Sequence, residues 1–183
     1  IGGQRAQQLS RAVEHVDPHG VRFLGDDAVM STPGPAQQLA NDIVDQFTLE
    51  TWVRPDRLGQ SGPARIVSIS DGVELTDVNV HLGQDRHCLS LRVDAGGPEA
   101  EWLLFDDVFA RPQRAWHLVA TYDRGSVRVF VDGELQFEEE LPEADLSGWS
   151  RDYPLLIGNE ATRDRPFQGE VYLVAVYNRA LRA

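Results

Sequence analysis

Three aromatic residues in loop-rich stretches, Trp102, Trp149 and Tyr153, have chemistry suited to sugar binding. An exposed ring can stack on a pyranose while nearby carboxylates, amides or Arg bond its hydroxyls. Trp149 sits in the acidic connection from Leu146 to Asp152. Aromatic residues mostly bury themselves, so ordinary loop packing is the competing expectation there. Trp52 and Trp116, in the most regular alternating stretches, are expected in the core. For a cation, Asp26, Asp27 and Asn159 fall in turns beside the first and penultimate strands, and Asp71 and Asp77 flank another turn. Calcium gathers about six to eight loop oxygens of this kind, although Asp and Asn are equally the ordinary turn formers. There is no EF-hand spacing, and the five His residues show no zinc spacing. His117, next to Trp116, is expected as a packed or surface strand residue.

Covalent chemistry is poorly provided for. Retaining glycoside hydrolysis needs two carboxyl groups about 5 to 5.5 Å apart across the scissile bond, which on one strand means carboxylates at alternate positions. The nearest cluster, Glu138-Glu139-Glu140, is consecutive, so its side chains alternate between faces before Pro142, and a solvated edge is expected. The single Cys88 forms no internal disulfide and is expected as a small buried apolar residue. Its neighbour His87 would point to the opposite face of a strand and could not activate it.

Charge narrows the partners. The 183 residues carry 29 acidic and 17 basic groups, a formal net charge of −12, and every basic residue is Arg. On average such a surface repels nucleic acid, heparin-like glycans and anionic membranes, although a local Arg cluster can override the mean. The absence of Lys fits GC-rich coding and a bacterial source. No window approaches the roughly 20 apolar residues of a membrane span, so direct membrane insertion by this segment is not expected.

The elements that must position these residues are almost all strands. In Trp116–Phe137, Trp116, Leu118, Ala120 and Tyr122 share one face, Asp123-Arg124-Gly125-Ser126 reverses the chain, and Val127, Val129 and Val131 resume on one face before Asp132-Gly133 turns it again. This predicts an antiparallel meander. Strands are also expected at Val13–Val16 and Val21–Phe23 around Asp17-Pro18-His19-Gly20, and at Phe47–Pro55, Arg65–Ser70, Val78–Leu82, Leu89–Val93, Glu101–Phe105, Tyr153–Gly158 and Gly169–Tyr177. The linking turns include Asp71-Gly72, Gly83-Gln84-Asp85-Arg86 and Gly96-Gly97-Pro98. The Pro-rich stretch Ser31–Ala40 is expected to be loop, with Asn41 or Asp42 able to cap one helical turn. Strands at this spacing with almost no helical period predict an all-β sandwich or jelly roll. Residues 1–8 are expected to be a disordered or loosely attached lead-in, and residues 9–183 a single domain cut from a longer chain that carries flanking domains or a membrane anchor.

Several of these pieces occur together in one known order. Val21-Arg22-Phe23-Leu24-Gly25-Asp26-Asp27, Phe47–Pro55, the Trp-His-x-Val strand with its Val-Phe-Val-Asp-Gly hairpin, Leu155-Leu156-Ile157-Gly158, and Phe167-Gln168-Gly169-Glu170-Val171 through Leu181 resemble the laminin-G-like domain of the concanavalin A-like lectin/glucanase superfamily. The resemblance covers about Val21 to Leu181. It implies a jelly-roll sandwich of two antiparallel sheets, an extracytoplasmic location, a glycan or protein ligand, and often a calcium ion. Tyr172-Leu173 stands where related domains carry an Asp-Glu pair, and Leu24 where they carry Asp. The closing strand is also similar to laminin-G-like domains appended to bacterial membrane proteins of the VanZ type. The expected function is a non-catalytic recognition module. The alternatives are a structural or protein-interaction domain without sugar affinity and, third, a degenerate glycoside hydrolase.

Overall fold

The structure, a computed structural model, describes residues 7–8, 13–16, 19–60, 62–98, 100–111, 113–141 and 145–182. Two seven-stranded antiparallel sheets face each other across one core. The first sheet runs β1 (Gln7–Gln8), β4 (Met30–Ser31), β13 (Leu155–Ile157), β6 (Ala64–Ser70), β7 (Val78–Asp85), β8 (Cys88–Val93), β9 (Glu101–Phe105). The second runs β12 (Glu134–Glu140), β11 (Ser126–Val131), β10 (Trp116–Asp123), β5 (Gln46–Pro55), β14 (Gly169–Tyr177), β3 (Gly20–Phe23), β2 (Val13–Val16). The alternation that defined the meander is what builds the core: Phe47, Leu49, Val53, Leu118, Ala120, Tyr122, Val127 and Val129 from the second sheet meet Ile66, Ile69, Val80, Leu82, Leu89 and Leu91 from the first. Phe47 stacks flat on its cross-strand partner Tyr122, with ring centroids 5.3 Å apart. Both meander reversals place two residues at positive φ, Arg124-Gly125 and Asp132-Gly133, the backbone of primed hairpin turns that continue the strand twist.

Several expectations need correction. Gln37–Asp42 form a short helix, α1, inside the stretch read as loop, and Asn41 and Asp42 end it rather than cap its start. Burial of Ala40 against the sandwich outweighs the local Pro content. Strand β7 continues through Gly83-Gln84-Asp85, and the reversal falls at Arg86, with φ of 55°. Gln84 sustains this by bonding Gln60 and the Arg57 and Arg86 carbonyls from a fully buried position. Of the lead-in, residues 1–6 lie outside the described residues, whereas Gln7–Gln8 pair with Met30–Ser31. Asp17, Pro18 and Pro142 are also outside them.

Candidate functional site

The outer face of the first sheet is polar and nearly closed to solvent. Register places Ser68, His81, Arg92 and Trp102 directly opposite one another in a row across β6, β7, β8 and β9. The next row holds Gly83, Ser90 and Leu104. A bulge between Arg65 and Val67 turns Arg65 onto this outer face while Val67 still faces the core. The cover comes from Gly158 onward. Its φ is 86°, and a Cβ there would lie 2.1 Å from the Phe23 ring, so only glycine lets β13 break at this point. The chain that follows lays Glu160 on the sheet.

A continuous hydrogen-bonded chain results. The Glu160 carboxylate, fully buried, accepts from Arg65 Nε at 3.0 Å and from Ser70 Oγ at 2.7 Å. Arg65 Nη1 lies 3.3 Å from His81 Nε2, which lies 3.1 Å from Ser90 Oγ. Trp102 Nε1 donates to the same Ser90 oxygen at 2.9 Å. A guanidinium only donates, so His81 Nε2 accepts and the proton of the neutral ring sits on Nδ1. Burial first, then the charges of Arg65, Arg92 and Arg165, hold the His81 pKa well below the ordinary histidine value, so the ring is neutral. Its Nδ1 is buried without a partner.

Trp102 is the exposed end of this chain. Its indole leans over β8, fixed by the bond to Ser90 and backed by the Arg92 guanidinium 5.0 Å from the ring centroid. The residue stays 46% exposed beside exposed Leu104, on an edge strand with no strand beyond it. An oriented aromatic platform with polar groups beneath it can stack on a sugar ring or another flat apolar surface.

The other sequence-expected residues lie elsewhere. Trp149 is 4% exposed, packs on Phe47 in the core and donates Nε1 to the Asp94 carbonyl, so its ring offers no face to a ligand. Tyr153 is half-buried with its hydroxyl on the Thr76 carbonyl. Asp26 and Asn159 do meet: Asn159 Nδ2 donates to the Asp26 carbonyl at 2.6 Å. Yet Asn159 Oδ1 already accepts from the Glu160 and Arg165 amides, and Asp26 and Asp27 are exposed. These three residues therefore organise a loop and do not fit a calcium ion, and no cluster of three or more His, Cys, Asp or Glu suited to a metal occurs among the described residues. Cys88 is half-buried, not core, and its thiol donates to Asp106 at 3.2 Å. Burial, then that bond, pushes its pKa up, away from reactivity. Glu138 pairs with Arg128 across the β11–β12 edge.

Trp52 is the other departure. It is 41% exposed on the outer face of the second sheet, in a row Leu173–Trp52–His117, with its ring stacked on His117 at 4.8 Å. One face of its ring is taken by His117, and Leu173 is its register partner on the other side. Glu50, one row away, bonds His117 Nε2 at 2.9 Å and the Tyr177 hydroxyl at 2.7 Å. Leu135 is exposed on the same sheet. A wider groove of about 670 Å³ runs between the sheets past His15, His19, Met30, Ile157, Tyr172 and Leu173, bordering residues 17–18 that are outside the described set.

Neither Trp102's exposure nor Arg65's burial was readable from one sequence. The available signal was an Arg at alternate spacing in a strand, where a half-buried sheet rarely spends a charge.

Comparison with known proteins agrees with this architecture. The chain belongs to the laminin-G-like family Laminin_G_3 of the Concanavalin A-like lectin/glucanases superfamily, whose model matches residues 24–183. No curated protein matches it in sequence. Among solved structures, the receptor binding domain of botulinum neurotoxin C/D mosaic serotype superposes with a TM-score of 0.72 at 10% identity, covering 98% of this chain and 44% of that one. The binding domain of botulinum neurotoxin DC in complex with rat synaptotagmin II gives 0.62 at 12%, covering 98% and 43%. The Ruminococcus gnavus IT-sialidase CBM40 bound to alpha2,3 sialyllactose gives 0.66 at 15%, covering 83% of this chain and 88% of that one. The chain thus spans less than half the length of the toxin domains, and at these identities the likeness is one of fold. No helix of the described residues is long and apolar enough to cross a membrane.

Proposed function

We propose that this domain is a non-catalytic recognition module that binds a glycan on the outer face of its first sheet, with Trp102 as the stacking platform. The observation that carries the reading is the state of that indole: half-exposed at a sheet edge, yet held in one orientation by Ser90 and Arg92. Preorganised aromatics lose little conformational entropy on binding, which suits a platform. The sugar and receptor complexes named for similar folds support a binding role rather than a catalytic one. Display outside the cytoplasm, in a longer polypeptide anchored through a membrane protein of the VanZ kind, belongs to the same proposal.

The test is a panel of glycans and cell-wall polysaccharides offered to wild type and Trp102→Ala, with calcium and with EDTA. Binding by wild type, weakened at least tenfold in the variant, supports the reading. Silence across the panel sinks it. An EDTA-sensitive signal would show that binding needs a divalent cation, and substitution of Asp26 and Asp27 would then test whether they hold it.

A second reading rests on the second sheet. Leu173, Trp52 and Leu135 are exposed on the second sheet, with the Trp52 ring already stacked on His117, an apolar surface that suits a protein better than a sugar. Glycan silence together with a partner lost on Leu173→Glu would favour it.

A further inference from the structure

The outer face of the first sheet buries a positive charge that no carboxylate among the described residues pairs with. Three guanidinium groups influence one another there: Arg65, Arg92 and Arg165. Arg65 is paired with Glu160 at 3.0 Å, and Arg165 with Asp164 at 3.5 Å. Among the described residues no ion pair holds Arg92, although it is only 5% exposed. A buried charge is ordinarily paired, because desolvation is otherwise uncompensated. Burial, then repulsion from Arg65 and Arg165, pulls the Arg92 pKa down to about 10, with Glu160 and Glu74 pulling more weakly the other way.

Its hydrogen bonding is equally incomplete. Nη1 donates to the Val73 carbonyl at 3.2 Å, and Nε is buried without a partner. Among the described residues Nη2 makes no hydrogen bond, and the guanidinium carbon lies 5.0 Å from the Trp102 ring centroid. Directly opposite Arg92 on β7, His81 carries the second unmatched donor, the Nδ1 proton. Two unmatched donors and one unpaired positive charge sit on adjacent positions in a chain whose net charge is −12. Neutral protein packing leaves such groups without a complement, whereas an acceptor-rich anion supplies one and forms strong charge-assisted hydrogen bonds to a guanidinium.

We propose that the ligand is an acidic sugar, its ring on Trp102 and its carboxylate on Arg92. This rests on the glycan reading above and narrows it. Carboxylate recognition requires only one guanidinium edge, so the acidic average of the surface disfavours long polyanions without excluding a single terminal acid. Specificity follows from geometry: a neutral sugar of the same shape leaves Arg92 desolvated and unpaired.

The experiment compares wild type with Arg92→Gln against oligosaccharides ending in a hexuronic or a sialic acid, each beside its carboxyl-reduced counterpart, with acetate as the bare-carboxylate arm. The expected result is at least tenfold tighter binding of one acid-terminated form over its reduced partner. That preference should be lost in Arg92→Gln, and acetate should bind far more weakly than the sugar. Equal binding of acid and reduced forms by wild type overturns the acidic-sugar assignment while leaving the glycan reading intact. Acetate binding as tightly as the sugar also overturns it, because the site is then an anion site only. Silence toward both forms and the wider neutral panel overturns both. The wild-type comparison needs no variant to fold, and a thermal melt checks Arg92→Gln, because the guanidinium also bonds the Val73 carbonyl and backs Trp102.

Discussion

The two outer faces of this sandwich use the same ingredients, an exposed Trp beside Arg, Glu and His, and arrange them in opposite ways. On the first sheet the polar groups are underneath, shut off by the segment after Gly158, and the aromatic lies above them on an edge strand. On the second sheet Trp52 stands in register between Leu173 and His117 with its ring stacked on His117, and the ion pairs beside it involve partly exposed arginines. There Arg22 bonds Asp56 at 2.9 Å, and Arg54 and the Tyr172 hydroxyl both bond Glu170. The difference lies in strand position. A Trp in a central strand is wedged by neighbours on both sides, whereas one on an edge strand keeps a free side. Exposure alone therefore does not mark a platform, and a fixed ring with an open side does.

The largest expected contrast is in stability. Glu160→Gln leaves Arg65 buried without its carboxylate and is expected to cost about 3 to 5 kcal/mol. Arg22→Gln on the other sheet breaks a partly exposed pair with Asp56 and a 3.6 Å contact with Glu170, which keeps Arg54, and is expected to cost about 1 kcal/mol. Denaturant midpoints on the two variants check the difference, and equal losses would break the contrast between a closed and an open polar face.

The next contrast is in binding. Trp102→Ala is expected to weaken glycan binding at least tenfold while changing stability by about 1 kcal/mol, the scale of one lost side-chain hydrogen bond and a partly exposed ring. Trp52→Ala is expected to cost a similar amount of stability through lost cross-strand stacking and to leave glycan affinity unchanged. Titration calorimetry beside thermal melts separates the two.

The smallest effect is on pH dependence and belongs to the second sheet. The hydrogen bond from Tyr177, and then those of His117 against an opposing burial effect, hold Glu50 below its ordinary value of 4.5. A depressed carboxylate pKa stabilises the fold fully above that ordinary value, and the contribution is lost as pH falls through the lowered one. Glu170 behaves alike: burial pushes it up, but the bonds from Tyr172 and Arg54 outweigh that. Glu50→Gln should therefore shallow, without abolishing, the fall in stability below pH 4.5. An unchanged acid limb in that variant would contradict the assigned bonds.

Much of the fold was legible because strand alternation is a local signal. Trp116–Phe137 names its core face residue by residue, and its two turns sit at Gly125 and Gly133 as read. Bulges are not local signals. The one between Arg65 and Val67 puts an arginine where alternation would bury an aliphatic side chain, and the one between Val171 and Leu173 sets Leu173 beside Trp52. Exposure was the other blind spot. Trp52 looked like core because its strand is regular, and Trp149, in acidic and loop-like surroundings, stood between ligand contact and ordinary loop packing. What decides both is the strand or segment stacked against them from more than 50 residues away in sequence, as with Trp149 on the Asp94 carbonyl. Trp102 was the one aromatic candidate whose segment and exposure coincide. Asp26 and Asn159, read as turn residues beside the first and penultimate strands, do meet, yet the backbone amides that occupy Asn159 Oδ1 come from residues a sequence cannot place.

The central claim is that the closed polar face, ending in Trp102, is the ligand site. The most direct test is the affinity of one glycan, selected on wild type, for Trp102→Ala and Trp52→Ala side by side. Loss at Trp102 with retention at Trp52 is the expected result; retention at Trp102 with loss at Trp52 would move the site to the opposite sheet and contradict the account.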